Sequence, residues 1–108
     1  MKPVTFLGDS REALRAFPRD ARQNAGYQID RVQRGLQPDD FKPMPTVGMG
    51  AEEIRVRVRA GAYRVIYIAR RPEAVYVLHA FQKKTRKTPV KDIETAAQRL
   101  RGLLKERA

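Results

Sequence analysis

The clearest pattern in the chain is a strict alternation of apolar and charged positions over residues 53–59. Three aliphatic residues alternate with three arginines, namely Ile54, Val56 and Val58 with Arg55, Arg57 and Arg59. Because side chains alternate between the two faces of a strand, this pattern predicts a β-strand with one apolar and one cationic face. The dipeptide Ala60-Gly61 then predicts a tight turn, since glycine accepts the positive φ that short hairpins require.

A second strand is expected to return from this turn over residues 63–69. A short loop places Val58 opposite Tyr63 and Arg57 opposite Arg64, which assigns each residue to a face. The residues directed to the core are Val56, Val58, Tyr63, Val65 and Tyr67. The arginines that share the open face are Arg55, Arg57 and Arg64. Three like charges on one face repel one another, so the pattern favours an anionic ligand there, with a merely solvated basic surface as the alternative.

Two other apolar runs predict strands. Val4 to Leu7 forms a short first strand, followed by Gly8. Val75 to Phe81 is apolar, β-branched and aromatic, which is typical of a strand buried on both faces and therefore central in a sheet. Residues 37–50 contain three prolines and two glycines and are predicted to be a mobile loop.

The N-terminal part of the chain also shows two segments with helical periodicity. The first covers residues 10–17, with Asp9 and Glu12 at the spacing of a capping box. The second begins at Pro18, which suits a first helical turn, and Gly35 is its expected C-terminal cap. We expect the two helices to form a hairpin on the sheet.

A last helix is predicted after Pro89, with Thr88 as its cap. Its apolar stripe comprises Ile93, Ala96, Ala97, Leu100, Leu103 and Leu104. The order strand, helix, helix, strand, strand, strand, helix predicts an α+β fold: an antiparallel sheet with a helical hairpin on one face and a C-terminal helix, the other face being basic. We expect a single domain over residues 1–108.

Charge strengthens the case for a polyanionic partner. The chain has 23 lysines and arginines against 12 acidic residues, a formal net charge of +11. Residues 54–71 contain six arginines and no acid. The central strand is followed by four cations in five positions, Lys83, Lys84, Arg86 and Lys87. A rigid strand thus delivers a basic loop, and such loops tend to carry function.

Composition also excludes several classes of function. The chain has no cysteine and one histidine, so neither disulfides nor a zinc site with its usual ligands is expected. No apolar run approaches the ~20 residues of a membrane span. The first residues lack the apolar region of a signal peptide. We therefore expect a soluble, cytoplasmic protein without cofactor or metal.

Residues 77–89, Val-Leu-His-Ala-Phe-Gln-Lys-Lys-Thr-Arg-Lys-Thr-Pro, resemble the RelE/ParE superfamily of toxin–antitoxin systems, and in particular its HigB-like, phage-derived branch. Residues 6–10 and 63–67 are similar to that branch as well, and the resemblance covers nearly the whole chain. It implies a microbial-ribonuclease-like fold and a toxin that cleaves mRNA on the ribosome. It also implies a helix-turn-helix (HigA-like) antitoxin partner, through which alone the system contacts operator DNA.

Cleavage of RNA without a metal uses the 2′-hydroxyl as nucleophile and needs a base, an acid and cations that stabilise the phosphorane. The resemblance assigns Arg64 as a phosphate clamp, with Lys83 and Lys84 as charge stabilisers or proton donors. His79 is a further catalytic candidate, although a lone histidine on a core strand is commonly packed. The expected RNA-binding residues are Lys42, Arg55, Arg57, Arg86 and Lys87. Val90 stands where RelE-like enzymes often have a tyrosine, and the helical acid/histidine pair of some HigB toxins is also unmatched, so the acid and base remain open.

Two other functions are compatible with the same fold. The ParE branch contains non-enzymatic poisons of DNA gyrase, and a toxin-like module that has lost activity would only bind RNA or antitoxin. The arginine face and the lysine pair favour the ribonuclease, because a gyrase poison needs no phosphate clamp.

Overall fold

The arginine hairpin predicted from the sequence forms the middle of a five-stranded sheet in the structure, a computed structural model that describes residues 1–106. The elements in chain order are β1 (Val4–Phe6), α1 (Ser10–Arg15), α2 (Arg19–Gln33), β2 (Phe41–Pro43), β3 (Ala51–Val58), β4 (Gly61–Ile68), β5 (Val75–Lys83) and α3 (Val90–Glu106). The α+β class is confirmed. The last two residues of the predicted domain lie outside the described residues, within which no helix has the length and hydropathy of a membrane span.

The strands lie in the order β1-β5-β4-β3-β2. The run 75–81 is therefore an interior strand, as predicted. The pairs β2–β3, β3–β4 and β4–β5 are antiparallel, but β1 runs parallel to β5, which makes the sheet mixed rather than purely antiparallel. No short turn joins β1 to β5, because all the other strands intervene, so turn geometry did not dictate their relative direction.

Both faces of the sheet carry a hydrophobic core. Helices α1 and α2 cover one face, as the predicted hairpin; the residues packed there include Leu14, Ala25, Ile29, Val56, Val65 and Val77. Helix α3 packs on the opposite face; the residues buried with it include Ile66, Ile68, Leu78, Ala96, Leu100 and Leu103. The expectation that the face opposite the hairpin is basic throughout is therefore wrong. Strands β4 and β5 bear apolar side chains on both sides, and α3 removes the second side from water.

The segment 37–50 is more ordered than its prolines and glycines indicated. Phe41–Pro43 forms an edge strand whose Lys42 pairs with Glu53 of β3. Met44 and Val47 are buried in the core beneath α3. The prediction of a mobile loop is therefore wrong for this part of the segment. The strand was missed because three residues ending in proline are too few to show an alternating pattern.

The hairpin register differs by two residues from the prediction. Its loop is Arg59-Ala60, so that Val58 pairs with Gly61 and Arg55 pairs with Arg64. Because the shift is an even number of residues, every side chain keeps its predicted face. Arg55 rather than Arg57 is consequently the direct cross-strand neighbour of Arg64.

A register shift between Ile66 and Tyr67 places a bulge in β5. Ile66 pairs with His79 and Tyr67 pairs with Val77, so Leu78 is an extra residue on β5. In a regular strand without the bulge, Val77 and His79 would share a face, since they are two positions apart. The bulge puts Val77 under the helical hairpin and turns His79 toward α3.

Of the three predicted helix caps, only that of α2 forms. Gly35 has φ 82°, and the bonds Gly35 N–H to Val32 O and Leu36 N–H to Arg31 O complete a Schellman motif. Asp9 makes no side-chain capping bond to α1, because its carboxylate accepts from Arg99 at 2.7 Å instead. The third cap, Thr88, bonds to the sheet, as described below.

Two glycines provide a matched test of this architecture. A Cβ on Gly26 inside α2 meets no atom within 4 Å, so Gly26→Ala is expected to stabilise the protein by about 0.5–1 kcal/mol. Gly8 has φ 56°, and a Cβ there would lie 2.3 Å from the Nε of Arg99. Gly8→Ala is therefore expected to destabilise by at least about 1–2 kcal/mol. Urea unfolding measures both changes, and equal effects of the two variants would contradict the described packing of Arg99.

Candidate nucleic-acid interface

Five basic side chains lie on the α3 side of the sheet, at the hairpin end that α3 leaves uncovered. They are Lys42 of β2, Arg55 and Arg57 of β3, Arg64 of β4 and Lys83 of β5. The pairings of Lys42 with Glu53 and of Arg55 with Arg64 place them on one side, since directly paired residues project from the same face. We call these five residues the cationic face. It is an open surface rather than a cavity.

A buried carboxylate, which the sequence analysis did not weigh, lies within this face. Glu53 is fully buried and Arg64 is 2% exposed. The Nε of Arg64 lies 3.5 Å from the Oε1 of Glu53, and its Nη1 donates to the carbonyl of Tyr63 at 2.9 Å. The expectation of an uncompensated cationic surface is therefore wrong at Arg64. Glu53 lies one position before the acid-free window of residues 54–71, although the alternation already placed it on the arginine side.

The cations of this face differ in exposure. Arg57 is exposed, while Arg55, Lys42 and Lys83 are half-buried. Arg55 lies 3.9 Å from Asp40, a loose contact, and no ion pair involves Arg57 within residues 1–106. The outer cations are thus accessible to a polyanion, whereas Arg64 contributes its charge from beneath.

The environment alters the acidity of two of these groups. Burial lowers the pKa of the Arg64 guanidinium; Glu53 opposes this shift, and Arg55 and Arg57 add to it. Burial also lowers the pKa of Lys83, and the nearby charge of Arg64 lowers it further. Both directions follow from placing like charges together in a partly dehydrated site. Lys83 is therefore closer to its neutral form at a given pH than an isolated exposed lysine.

The predicted basic loop borders this face. Lys83 is the last residue of β5, and the following Lys84, Arg86 and Lys87 are exposed. The hydroxyl of Thr88 donates to the Oε2 of Glu53 at 2.9 Å, instead of capping α3. We define residues 84–88 as the basic loop. The loop and the cationic face thus form one continuous positive surface.

His79 lies on the α3 side of β5, but both ring nitrogens have protein partners. Its Nε2 is 2.6 Å from the Oδ1 of Asp92, and its Nδ1 is 3.5 Å from the Nη1 of Arg99. Because arginine only donates, Nδ1 is the acceptor, and the proton on Nε2 points to Asp92. The ring also stacks on Phe81 with centroids 5.2 Å apart. This geometry favours the packed alternative for His79 over the catalytic one.

Arg99 of α3 organises the surroundings of this histidine. Its Nη1 donates to the carbonyl of Leu78 at 2.9 Å and its Nη2 to Asp9 at 2.7 Å. The hydrogen bond and the charge of Arg99 lower the pKa of the Asp9 carboxyl. These contacts join the turn before α1, the bulge of β5 and helix α3. Neither Arg99 nor Asp92 was predicted as a partner of His79, because no local pattern relates positions 13 and 20 residues away from it.

A hollow of about 590 Å³ lies elsewhere, at the opposite end of β3 and β4. Its lining includes Lys2, Leu36, Met49, Glu52 and Tyr67. The Tyr67 hydroxyl donates to Glu52 at 2.6 Å, and burial with this contact raises the pKa of Tyr67. None of the predicted site residues lines this hollow, so it is separate from the cationic face.

Fold and surface together define a small α+β protein with a cationic sheet face suited to a phosphate chain. A family model described as phage derived protein Gp49-like (DUF891) matches residues 12–101. Since the match covers most of the chain, the protein belongs to this family, which is the RelE/HigB-type toxin family of toxin–antitoxin systems. The family implies an antitoxin partner. No curated protein gives a significant match.

The acidity of Lys83 is a direct test of the arrangement around Glu53. In wild type, acylation of Lys83 should reach half of its maximum at a lower pH than acylation of N-acetyl-lysine amide in the same tube. Arg64→Met should raise that pH, because the change removes a neighbouring cation and leaves Glu53. Mass spectrometry after labelling across a pH series measures both midpoints.

The control is Arg11→Met on α1, which removes an exposed arginine from the other side of the sheet. This variant should leave the Lys83 midpoint unchanged. An unchanged midpoint in Arg64→Met as well would show that Arg64 and Lys83 are not neighbours in solution.

Proposed function

We propose that this protein is a HigB-like toxin that inhibits translation by cleaving mRNA on the ribosome. The observation that carries the proposal is the continuity of the cationic face with the basic loop, in a chain of the RelE/HigB-type toxin family. Phosphates of a single-stranded RNA would lie across the outer cations, with successive charges along the loop. A surface of this kind gives affinity, because its cations displace the counterions of the RNA phosphates. The same phosphate contacts fix the position of the RNA on the protein.

The proposed reaction is an internal transfer within the RNA. The 2′-oxygen attacks the adjacent phosphorus, its proton passes to a base, and the bond to the 5′-oxygen breaks as that oxygen gains a proton. The products are a 2′,3′-cyclic phosphate and a free 5′-hydroxyl. The protein has to stabilise the added negative charge on the phosphorane, which fixed cations do well in a partly dehydrated site.

The roles of the cations follow from their exposure. Arg57 and Arg55 are placed to contact phosphate oxygens, which an arginine can engage at two points. Arg64 was predicted as the clamp, but its burial favours a contribution through its field and through the placement of its neighbours. Lys83, whose pKa is lowered by burial and by Arg64, is the group best suited to exchange a proton with the substrate. Lys84, Arg86 and Lys87 are exposed and suited to binding the RNA backbone.

The partners in this proposal are mRNA on the ribosome and a helix-turn-helix antitoxin of the HigA type. The antitoxin would mask the toxin and bind operator DNA, so the toxin would reach DNA only through it. Both expectations come from the resemblance of residues 77–89 to the HigB-like branch, and the toxin family supports the coarser expectation of an antitoxin.

Removal of single arginines tests the enzymatic function. Arg57→Ala and Arg64→Ala are each expected to lower cleavage by about 10²- to 10³-fold, since each loses charge stabilisation in the transition state. Arg11→Ala, which loses an exposed arginine on α1, should cleave like wild type. Primer extension on cellular mRNA after induction measures the cuts, and circular dichroism verifies that the variants are folded.

The same experiment separates the alternatives. Codon-phased cuts that weaken in the two face variants support the ribonuclease. Growth arrest without cuts, together with trapped gyrase–DNA complexes, would contradict the ribonuclease and indicate a ParE-like poison of DNA gyrase. Absence of both effects would leave a module that binds RNA or antitoxin without activity.

Salt dependence tests whether phosphate contacts dominate binding. The logarithm of the affinity for a single-stranded RNA should fall with the logarithm of salt concentration, with a slope of about −0.7 for each phosphate contacted. Arg57→Ala should make this slope shallower by about 0.7, whereas Arg11→Ala should not alter it. Fluorescence anisotropy across a salt series provides the slopes, and a flat response in wild type would exclude the cationic face as the binding surface.

A further inference from the structure

The environment of Glu53 is unusual for a residue that only stabilises the fold. Its carboxylate is fully buried, and removing a carboxylate from water is costly unless its oxygens are well bonded. Yet the Oε1 of Glu53 and the Nε of Arg64 both lack a hydrogen-bond partner, although they lie 3.5 Å apart. The pair is held by charge alone. Two apolar residues in place of both Glu53 and Arg64 would commonly serve stability equally well, so stability alone does not explain why this pair is charged.

The second oxygen of Glu53 has a specific task. Its Oε2 accepts the hydroxyl of Thr88, and this bond joins residues 35 positions apart in the chain. Thr88 is the single buried residue of the basic loop, whose other members are exposed. The hydroxyl of Thr85 bonds only within the loop, to the carbonyl of Lys87. Among the side-chain hydrogen bonds of residues 1–106, the Thr88–Glu53 bond is the one that ties this loop to the sheet.

Glu53 therefore lies between the two halves of the positive surface. One carboxylate oxygen faces the guanidinium of Arg64, and the other holds the loop that carries Lys84, Arg86 and Lys87. The loop cations and the face cations repel one another across this junction. A single negative charge placed below them offsets part of that repulsion and fixes the loop at the same time.

We propose that Glu53 is a positioning residue: through Thr88 it latches the basic loop onto the cationic face, and through Arg64 it sets the field beneath a bound phosphate chain. The proposal deepens the proposed function, on which it depends for the identity of RNA as the ligand. The latch itself is a property of the protein alone, so it is measurable without cleavage.

Two nearly isosteric variants separate the two roles. Thr88→Val removes the hydroxyl and leaves the charge of Glu53. Glu53→Gln removes the charge and keeps a carbonyl oxygen that can accept from Thr88. Thr95→Val is the matched control, because the Thr95 hydroxyl also donates a hydrogen bond, to the carbonyl of Lys91, but lies on α3 outside the positive surface.

The first measurement is hydrogen exchange of the amides in residues 84–88, followed by mass spectrometry. Thr88→Val should accelerate exchange in this loop by about tenfold or more, since a hydrogen bond to a charged group contributes at least that factor. Glu53→Gln should change it much less, and Thr95→Val should not change it. Equal loop exchange in wild type and Thr88→Val would overturn the latch.

The second measurement compares binding of an uncleavable 2′-O-methyl oligoribonucleotide with cleavage of its natural counterpart at saturation. Glu53→Gln should bind at least as tightly as wild type, because the face becomes more positive, but should cleave more slowly, because Arg64 is no longer held. Thr88→Val should bind about threefold to tenfold more weakly. If Glu53 served stability alone, Glu53→Gln would lower the melting temperature and leave binding and cleavage at wild-type values. That result would overturn the positioning role.

These outcomes are distinguishable from failure of the proposed function. If wild type binds the oligonucleotide without cleaving RNA, the ribonuclease fails, and the exchange and binding results still decide the role of Glu53. If wild type does neither, the ligand is wrong, and hydrogen exchange in Thr88→Val alone decides whether the latch exists.

Discussion

Burial of both faces of β4 and β5 is the constraint on which the arrangement of this protein depends. Their side chains are apolar on the side of α1 and α2 and again on the side of α3. Two separate covers are therefore needed, and among residues 1–106 one helix, α3, covers the second side. Helix α3 covers the part of that side near β5, and the hairpin end stays open. The cationic face and the basic loop lie where the apolar cover ends.

Concentrated charge in a half-buried place has a cost that the structure meets locally. Arg64 could not lie inside the sheet face without an opposite charge, and Glu53 supplies it on the neighbouring strand. The carboxylate of Glu53 pairs with Arg64, the innermost cation, and leaves the outer cations of the face accessible. A buried arginine with its own carboxylate, beneath cations exposed to solvent, is compatible with a ligand that brings its own negative charges. This combination links the stability of the site to its proposed use in binding a phosphate chain.

Membership of the Gp49-like family gives the class of protein, a toxin that works with an antitoxin. The finer proposal of an mRNA-cleaving, HigB-like toxin comes from the resemblance of residues 77–89, and the surface chemistry supports it. In this proposal Arg57 contacts phosphate and Lys83 transfers a proton, whereas His79 is engaged by Asp92 and Arg99 on both ring nitrogens. The ring nitrogens of His79 are thus already used in contacts within the protein. We therefore propose that Lys83, close to Arg64, exchanges the proton with the substrate.

Much of this organisation was readable along the chain. The alternation assigned the correct face to residues 53–58, although Arg59 lies in the hairpin loop, and the apolar run from Val75 marked an interior strand. Local patterns did not reveal the edge strand at residues 41–43, which is too short for a period. They also gave a hairpin register wrong by two residues, since a two-residue loop moved by one position leaves every side chain on the same face.

Local patterns were enough to predict the α+β class, the two-faced arginine strand and the basic loop, because periodicity and charge can be read over a few neighbouring residues. The folded structure was needed to show that α3 covers the second face, that Glu53 lies beneath Arg64, and that Thr88 reaches the sheet instead of capping its helix. Those contacts join residues far apart in the chain. Their energies depend on burial and distance, which no local pattern encodes.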